Sequence, residues 1–114
     1  MSAATESAIE RLVAAYPVLV PVLAEHLEDN FGEMLPNLVM SDVIRWLVAH
    51  LESDPGVCRS VLEWMESAFQ EGPDDVRGLI VVSGVEMIPD PGEPGSGLRA
   101  TLGPHLVAID PWMN

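Results

Sequence analysis

The apolar residues of this chain recur at steps of three and four, and prolines at positions 17, 36, 55, 73 and 89 cut that pattern into segments of helical length. This punctuation constrains the fold more than any other feature. A proline cannot sit inside a helix without removing a hydrogen bond and clashing with the preceding turn, yet it is comfortable in a first turn. Apolar stretches bounded this way predict an all-α protein built from several helices of modest length.

The segments read as follows. Residues 1–5 are expected to be frayed. Ser7-Ala8-Ile9-Glu10 has the spacing of a capping box, and Ile9, Leu12, Val13 and Tyr16 form the stripe of a first helix that Pro17 stops. A second helix starts at Val18 or Pro21 and runs to Asn30, with Leu19, Val22, Leu23 and Leu27 as its stripe. Asn30-Phe31-Gly32-Glu33 is a turn. Pro36 opens the third element, with Ser41 and Asp42 as alternative caps, and Val43, Ile44, Trp46, Leu47, Val48 and Leu51 cover more than half its circumference. A helix that apolar is expected to be central. Asp54-Pro55 starts a fourth helix, with Val57, Val61, Leu62, Met65, Ala68 and Phe69 facing inward. It ends at Gly72-Pro73, where glycine offers a left-handed cap.

A fifth helix is capped by Asp74 or Asp75 and runs from Val76 to about Ile88. Its interior, Leu79-Ile80-Val81-Val82, has the composition of a buried strand, and the length of the apolar pattern decides for helix. Residues 89–97 form a flexible loop by composition. A short helix at Leu98–Leu102 and a tail, His105–Trp112, either helical or an extended strap, complete the chain. The expectation is one domain over residues 1–114. It holds five to six helices in antiparallel hairpins, as an irregular bundle or a short helical-repeat-like stack.

Charge bounds the partners. The net charge is −13: eighteen acids oppose five arginines, there is no lysine, and each half of the chain carries nine acids. Such a field repels nucleic acid and anionic membranes and speeds encounter with basic proteins. No apolar run approaches the roughly 20 residues that span a bilayer. The N-terminus lacks the basic region and apolar core of a signal peptide, so a cytoplasmic location is expected.

Candidate chemistry is sparse. The single cysteine, Cys58, closes no intramolecular disulfide. It reads either as a nucleophile activated by a helix N-terminus and Arg59, or as a small buried apolar residue. His26, His50 and His105 fall in separate segments without metal-binding spacing, and are expected to be two helix-surface histidines and one near the chain end. No nucleophile elbow, phosphate loop or dinucleotide fingerprint occurs. No catalytic residue, metal ligand or cofactor is therefore assigned.

The densest motif is Glu25-His26-Leu27-Glu28-Asp29-Asn30-Phe31-Gly32-Glu33-Met34-Leu35-Pro36, followed by Asp42 and Trp46. In one reading Glu25, Glu28, Asp29 and Glu33 engage arginine or lysine of a partner, with Phe31 as an anchor. In the other, Phe31 and Leu35 pin the turn and the acids are solvated. Acids at the C-terminal end of a helix oppose its dipole, so helix stability does not account for Glu28 and Asp29. Trp46 is read as core. Trp64 lies off its helix's main stripe and is a second, half-exposed contact candidate, and Trp112 is an anchor or a loose end.

On Glu25–Asp29, Gly32-Glu33-Met34-Leu35-Pro36, Asp42, Trp46, Ser83, Glu86 and Leu102-Gly103-Pro104, the chain resembles a bacterial family of small acidic helical proteins of unknown function. The likeness covers roughly residues 9 to 106. It departs at Asn37, where the family pattern has histidine, and at Gly84-Val85, where a bulkier pair is usual. The resemblance implies a shared fold and no nameable activity.

Three functions compete on these residues. The first is a non-enzymatic acidic binding domain, an inhibitor or immunity-type protein that docks a basic partner. The second is a carboxylate and histidine metal site or small hydrolytic enzyme using Glu25, His26, Asp29 and Glu33. The third is a subunit of a small homo-oligomer, joined through the apolar helix Val43–Leu51; a monomer is the alternative state.

Overall fold

The computed structural model describes residues 3–112, which contain six α-helices, three 3₁₀ turns and no strand. The helices are α1 (Ala3–Ala15), α2 (Val20–Asp29), α3 (Pro36–His50), α4 (Pro55–Glu71), α5 (Asp74–Ser83) and α6 (Pro104–Ile109). They pack as an irregular bundle measuring 37 × 31 × 21 Å.

Prolines mark the boundaries as their chemistry requires. Pro36, Pro55 and Pro104 occupy the first turns of α3, α4 and α6. Pro17 ends α1 and also opens a 3₁₀ turn, Pro17–Leu19, that leads directly into α2, with Pro21 in the first turn of α2. The chain bends by 115° between α1 and the segment 17–29.

Several local expectations are corrected. α1 begins at Ala3, so Ser7-Ala8-Ile9-Glu10 is helix interior rather than a capping box, and Thr5 is buried rather than frayed. Residues 1–2 of the expected frayed start lie outside the described segment. Ser41 and Asp42 cap nothing: α3 starts five residues before Ser41, whose hydroxyl donates back to the Asn37 carbonyl (3.1 Å). Asp54 caps α4 through its backbone only, its carbonyl accepting from Cys58 N–H (3.1 Å).

Gly72 ends α4 with φ −78°, not in the left-handed region. A side chain there would press a Cβ within 2.5 Å of the Ala68 carbonyl oxygen and 3.0 Å of Val76 Cγ1, so glycine serves the close approach of α5. Pro73, not Asp74 or Asp75, is the residue preceding α5, and the two acids lie in its first turn where the dipole favours them. α5 stops at Ser83, five residues short of Ile88. At Gly84 a Cβ would collide with the Ile80 carbonyl and would lie 2.7 Å from Met65 Cε, and the chain tightens into a 3₁₀ turn at Val85–Met87.

α3 is the hub, packing on α1, α2, α4 and α5. Val39, Met40, Val43, Ile44 and Leu47 are fully buried against Ile9, Leu12, Leu62, Met65 and Ile80. Val48 of α3 is covered by Gly95, whose φ of +89° and missing side chain let residues 89–97 lie close on the helix. Within α3, Leu38 alone of the large apolar residues stands exposed.

The last third of the chain is fastened by two polar ties. Arg99 and Asp110 form a buried ion pair, and the Arg99 guanidinium also donates to the carbonyls of Ile88 (3.1 Å) and Pro89 (2.9 Å). Glu66 of α4 caps α6: its carboxylate accepts from the backbone N–H groups of His105 (3.0 Å) and Leu106 (2.9 Å). The carboxylate fills the space where a side chain on Gly103 would stand.

Candidate partner-binding surface

α2, the turn at residues 30–35 and α3 together build a groove of about 490 Å³. Glu25 and Asp29 line it from α2, and Asp42 and Arg45 from α3. These spacings of three and four place each pair on one helix face. Trp46 and His50 form the aromatic wall, their rings stacked with centroids 3.9 Å apart and planes at 11°. His50 Nδ1–H donates to the Trp46 carbonyl (2.8 Å), which fixes that ring in place. Trp46 is therefore half-buried groove lining rather than wholly core. Arg45 pairs with Asp42 at 2.5 Å, and both side chains remain open to solvent.

His26 sits within this groove at 4 % exposure, not on the helix surface as expected. The backbone N–H of Leu35, the residue before Pro36, donates to His26 Nε2 (3.0 Å). The Asn30 side chain donates to the His26 carbonyl (2.8 Å) and lies 3.3 Å from Nδ1. A neutral imidazole offers one lone pair, and here it is committed to Leu35.

The turn carries the most unusual residue of the molecule. Phe31 is fully exposed, at 101 %, and holds φ +55°, the only positive φ on a non-glycine residue among the described ones. The left-handed region costs an L-residue roughly 1–2 kcal/mol. The reading in which Phe31 pins the turn is therefore overturned: its ring touches nothing in the core. The turn is held instead by Gly32 N–H on the Leu27 carbonyl (2.7 Å), Glu33 N–H on the Asn30 carbonyl (3.0 Å), and the His26–Leu35 contact.

The residues singled out from the sequence are thus partly assembled. Glu25 and Asp29 line the groove, Phe31 and Glu33 are exposed on the turn at its end, and Glu28 is exposed on α2. Trp64 does not join them. It lines a separate groove of about 450 Å³ with Arg11, Ala68, Glu71, Gly72 and Pro73. Missed entirely were the groove roles of Asn30, Arg45 and His50. The i, i+4 spacing Asp42-Trp46-His50 was the signal that placed three of the lining residues on one face.

The remaining chemistry is quickly placed. Cys58 is buried, its S–H donates to the Leu47 carbonyl (3.4 Å), and burial followed by the Asp54 charge pushes its thiol above the ordinary range. That opposes the nucleophile reading. His105 stands near Glu66 and Gln70 at the start of α6. Among the described residues no group of three or more histidine, cysteine or carboxylate side chains is placed to hold a metal ion. No single described helix is long and apolar enough to cross a membrane.

With known proteins the chain shows no match: no family model, curated protein or solved structure is similar to it at a significant level.

Proposed function

We propose that this protein is an acidic binding domain that captures a basic protein partner through the α2–α3 groove and the Phe31 turn. The observation that carries the reading is Phe31 itself. Its ring gains no packing at 101 % exposure, and its backbone sits in a costly conformation. Both terms disfavour phenylalanine in the isolated fold. A partner with an apolar pocket offsets them by burying the ring, which would contribute about 1.5–3 kcal/mol. Glu28, Asp29 and Glu33 flank Phe31 in the sequence and are exposed, and Glu25 and Asp42 extend the negative surface along the groove. The partner face is thus an apolar pocket ringed by arginine or lysine. Such complementarity sets the rate of encounter and the choice of partner more than affinity.

The test compares three baits in extracts of the source cell at low and high salt: the wild type, Phe31→Ala, and the doubly neutralised Glu25→Gln/Asp29→Asn. A basic protein held by the wild type, released by salt and lost with Phe31→Ala is the expected result. Recovery of nothing, or of a partner indifferent to both substitutions and to salt, refutes the reading.

A further inference from the structure

We propose that the His26–Leu35 contact is a proton-sensitive latch on the Phe31 turn, so that the turn is held in shape only while the imidazole is neutral. The inference deepens the binding role proposed above and rests on it for its biological consequence, although the latch itself is a property of the free chain.

The geometry is specific. Leu35 precedes α3 with an extended backbone (φ −112°, ψ 92°), and its N–H has no partner within the helix. Nε2 of a nearly fully buried histidine takes that N–H at 3.0 Å. The other nitrogen faces the Asn30 side-chain nitrogen at 3.3 Å, a donor whose shorter bond goes to the His26 carbonyl at 2.8 Å. With Nε2 accepting from Leu35, the neutral ring carries its own proton on Nδ1, so the Asn30 contact is not a bond that the imidazole accepts. An imidazolium carries N–H on both and accepts on neither. A second proton and the Leu35 amide compete for the same lone pair, and adding the proton sets two donors against each other at 3.0 Å.

The surroundings offer no alternative acceptor at the ring. From its own helix, Glu25 and Asp29 share the groove with His26; from α3 come Asp42, Arg45 and His50; Glu33 lies exposed on the turn. Nε2 is taken by the Leu35 N–H, and Nδ1 faces the Asn30 side chain rather than any of these groups.

The consequence falls on Phe31. Backbone bonds hold both ends of the segment, Asn30 N–H on the His26 carbonyl and the Leu35 carbonyl accepting from Leu38 and Val39, but between them only Gly32 N–H on Leu27, Glu33 N–H on Asn30 and the histidine contact shape the turn, and no side-chain packing holds Phe31 at its positive φ. Releasing Leu35 lets the turn and the start of α3 relax, and Phe31 leaves the left-handed region.

Hydrogen exchange read by NMR on the full chain tests this without any partner. Protection factors, corrected for intrinsic exchange, are compared between about pH 8 and about pH 5. Leu35 and Gly32 are expected to lose protection about tenfold, while core amides such as Leu47 hold theirs. His26→Gln presents an amide oxygen to Leu35 and does not titrate, so its Leu35 protection is expected to stay flat. If that variant does not fold, the wild-type titration decides alone, together with the imidazole nitrogen shifts. Nε2 carrying a proton at the upper pH, unchanged Leu35 protection, or the wild-type pH response persisting in His26→Gln each overturns the latch. The capture experiment with Phe31→Ala at neutral pH tests the binding role separately. A latch without a partner and a partner without a latch are therefore distinguishable.

Discussion

Replacing Asp110 with asparagine is expected to be among the most damaging single changes outside the hydrophobic core. Asp110 is wholly buried, and the Arg99 side chain it pairs with is 8 % exposed. Asparagine keeps the shape and an oxygen for the Trp112 backbone N–H, which donates to the Asp110 carboxylate at 3.1 Å. What is lost is the countercharge. The guanidinium is left in the interior with the carbonyls of Ile88 and Pro89, neither of which neutralises it. Removing one partner of a buried pair costs about 3–5 kcal/mol. With an unfolding entropy near 2.1 cal/mol/K per residue over 114 residues, about 0.24 kcal/mol/K in total, the midpoint should fall by about 12–20 °C. Thermal unfolding followed by circular dichroism reads this directly. The paired substitution Arg99→Met/Asp110→Leu removes both charges and fills similar volume, so most of the loss should return. A fall of less than about 3 °C in Asp110→Asn, or a double variant as unstable as the single one, would refute the claim that an uncompensated buried charge is the cause.

Glu66→Ala should destabilise by about 1–2 kcal/mol by uncapping α6, with Glu66→Gln milder because one oxygen still accepts; chemical denaturation at neutral pH measures both. Phe31→Asn should raise the unfolding midpoint by about 2–4 °C, since asparagine tolerates a positive φ and no packing is lost; a lower midpoint would show that the ring stabilises the free fold. Cys58 should react with a thiol reagent at least about a hundredfold more slowly in the native protein than in denaturant, because the thiolate is disfavoured and the sulfur is covered; equal rates sink that reading. The same raised thiol value means that the native state holds the proton more tightly than the unfolded chain. Its contribution to stability is therefore complete at neutral pH and declines as pH rises past the ordinary cysteine value towards the native one. Cys58→Ala should flatten that alkaline decline in denaturation midpoints.

The site was only half legible from residue order. The acidic motif at 25–33 drew attention through composition, and Phe31 through its place in a turn. Whether that ring faced inward or outward depended on where α3 crosses α2, which no local pattern encodes. His26 was misplaced on the surface because it falls on the same stripe as Leu19, Val22 and Leu23. Trp64 reads as a contact candidate because it lies off the main stripe of its helix, and the packing of α1 on α4 puts it in another groove.

Periodicity and proline placement alone determined that the chain is helical, where α4 begins, and that α3 lies at the centre. These follow from steric rules acting within a few residues, so they can be read locally. Net charge likewise needs only counting. Tertiary structure decided the rest. It stopped α5 at Gly84, where Met65 and the Ile80 carbonyl leave no room for a side chain, and it joined Arg99 to Asp110 and Glu66 to α6. It also left Phe31 standing alone in solvent. Each of these depends on which distant groups arrive at the same point, and contacts separated by 11 to 40 residues carry no signature in either partner's own neighbourhood.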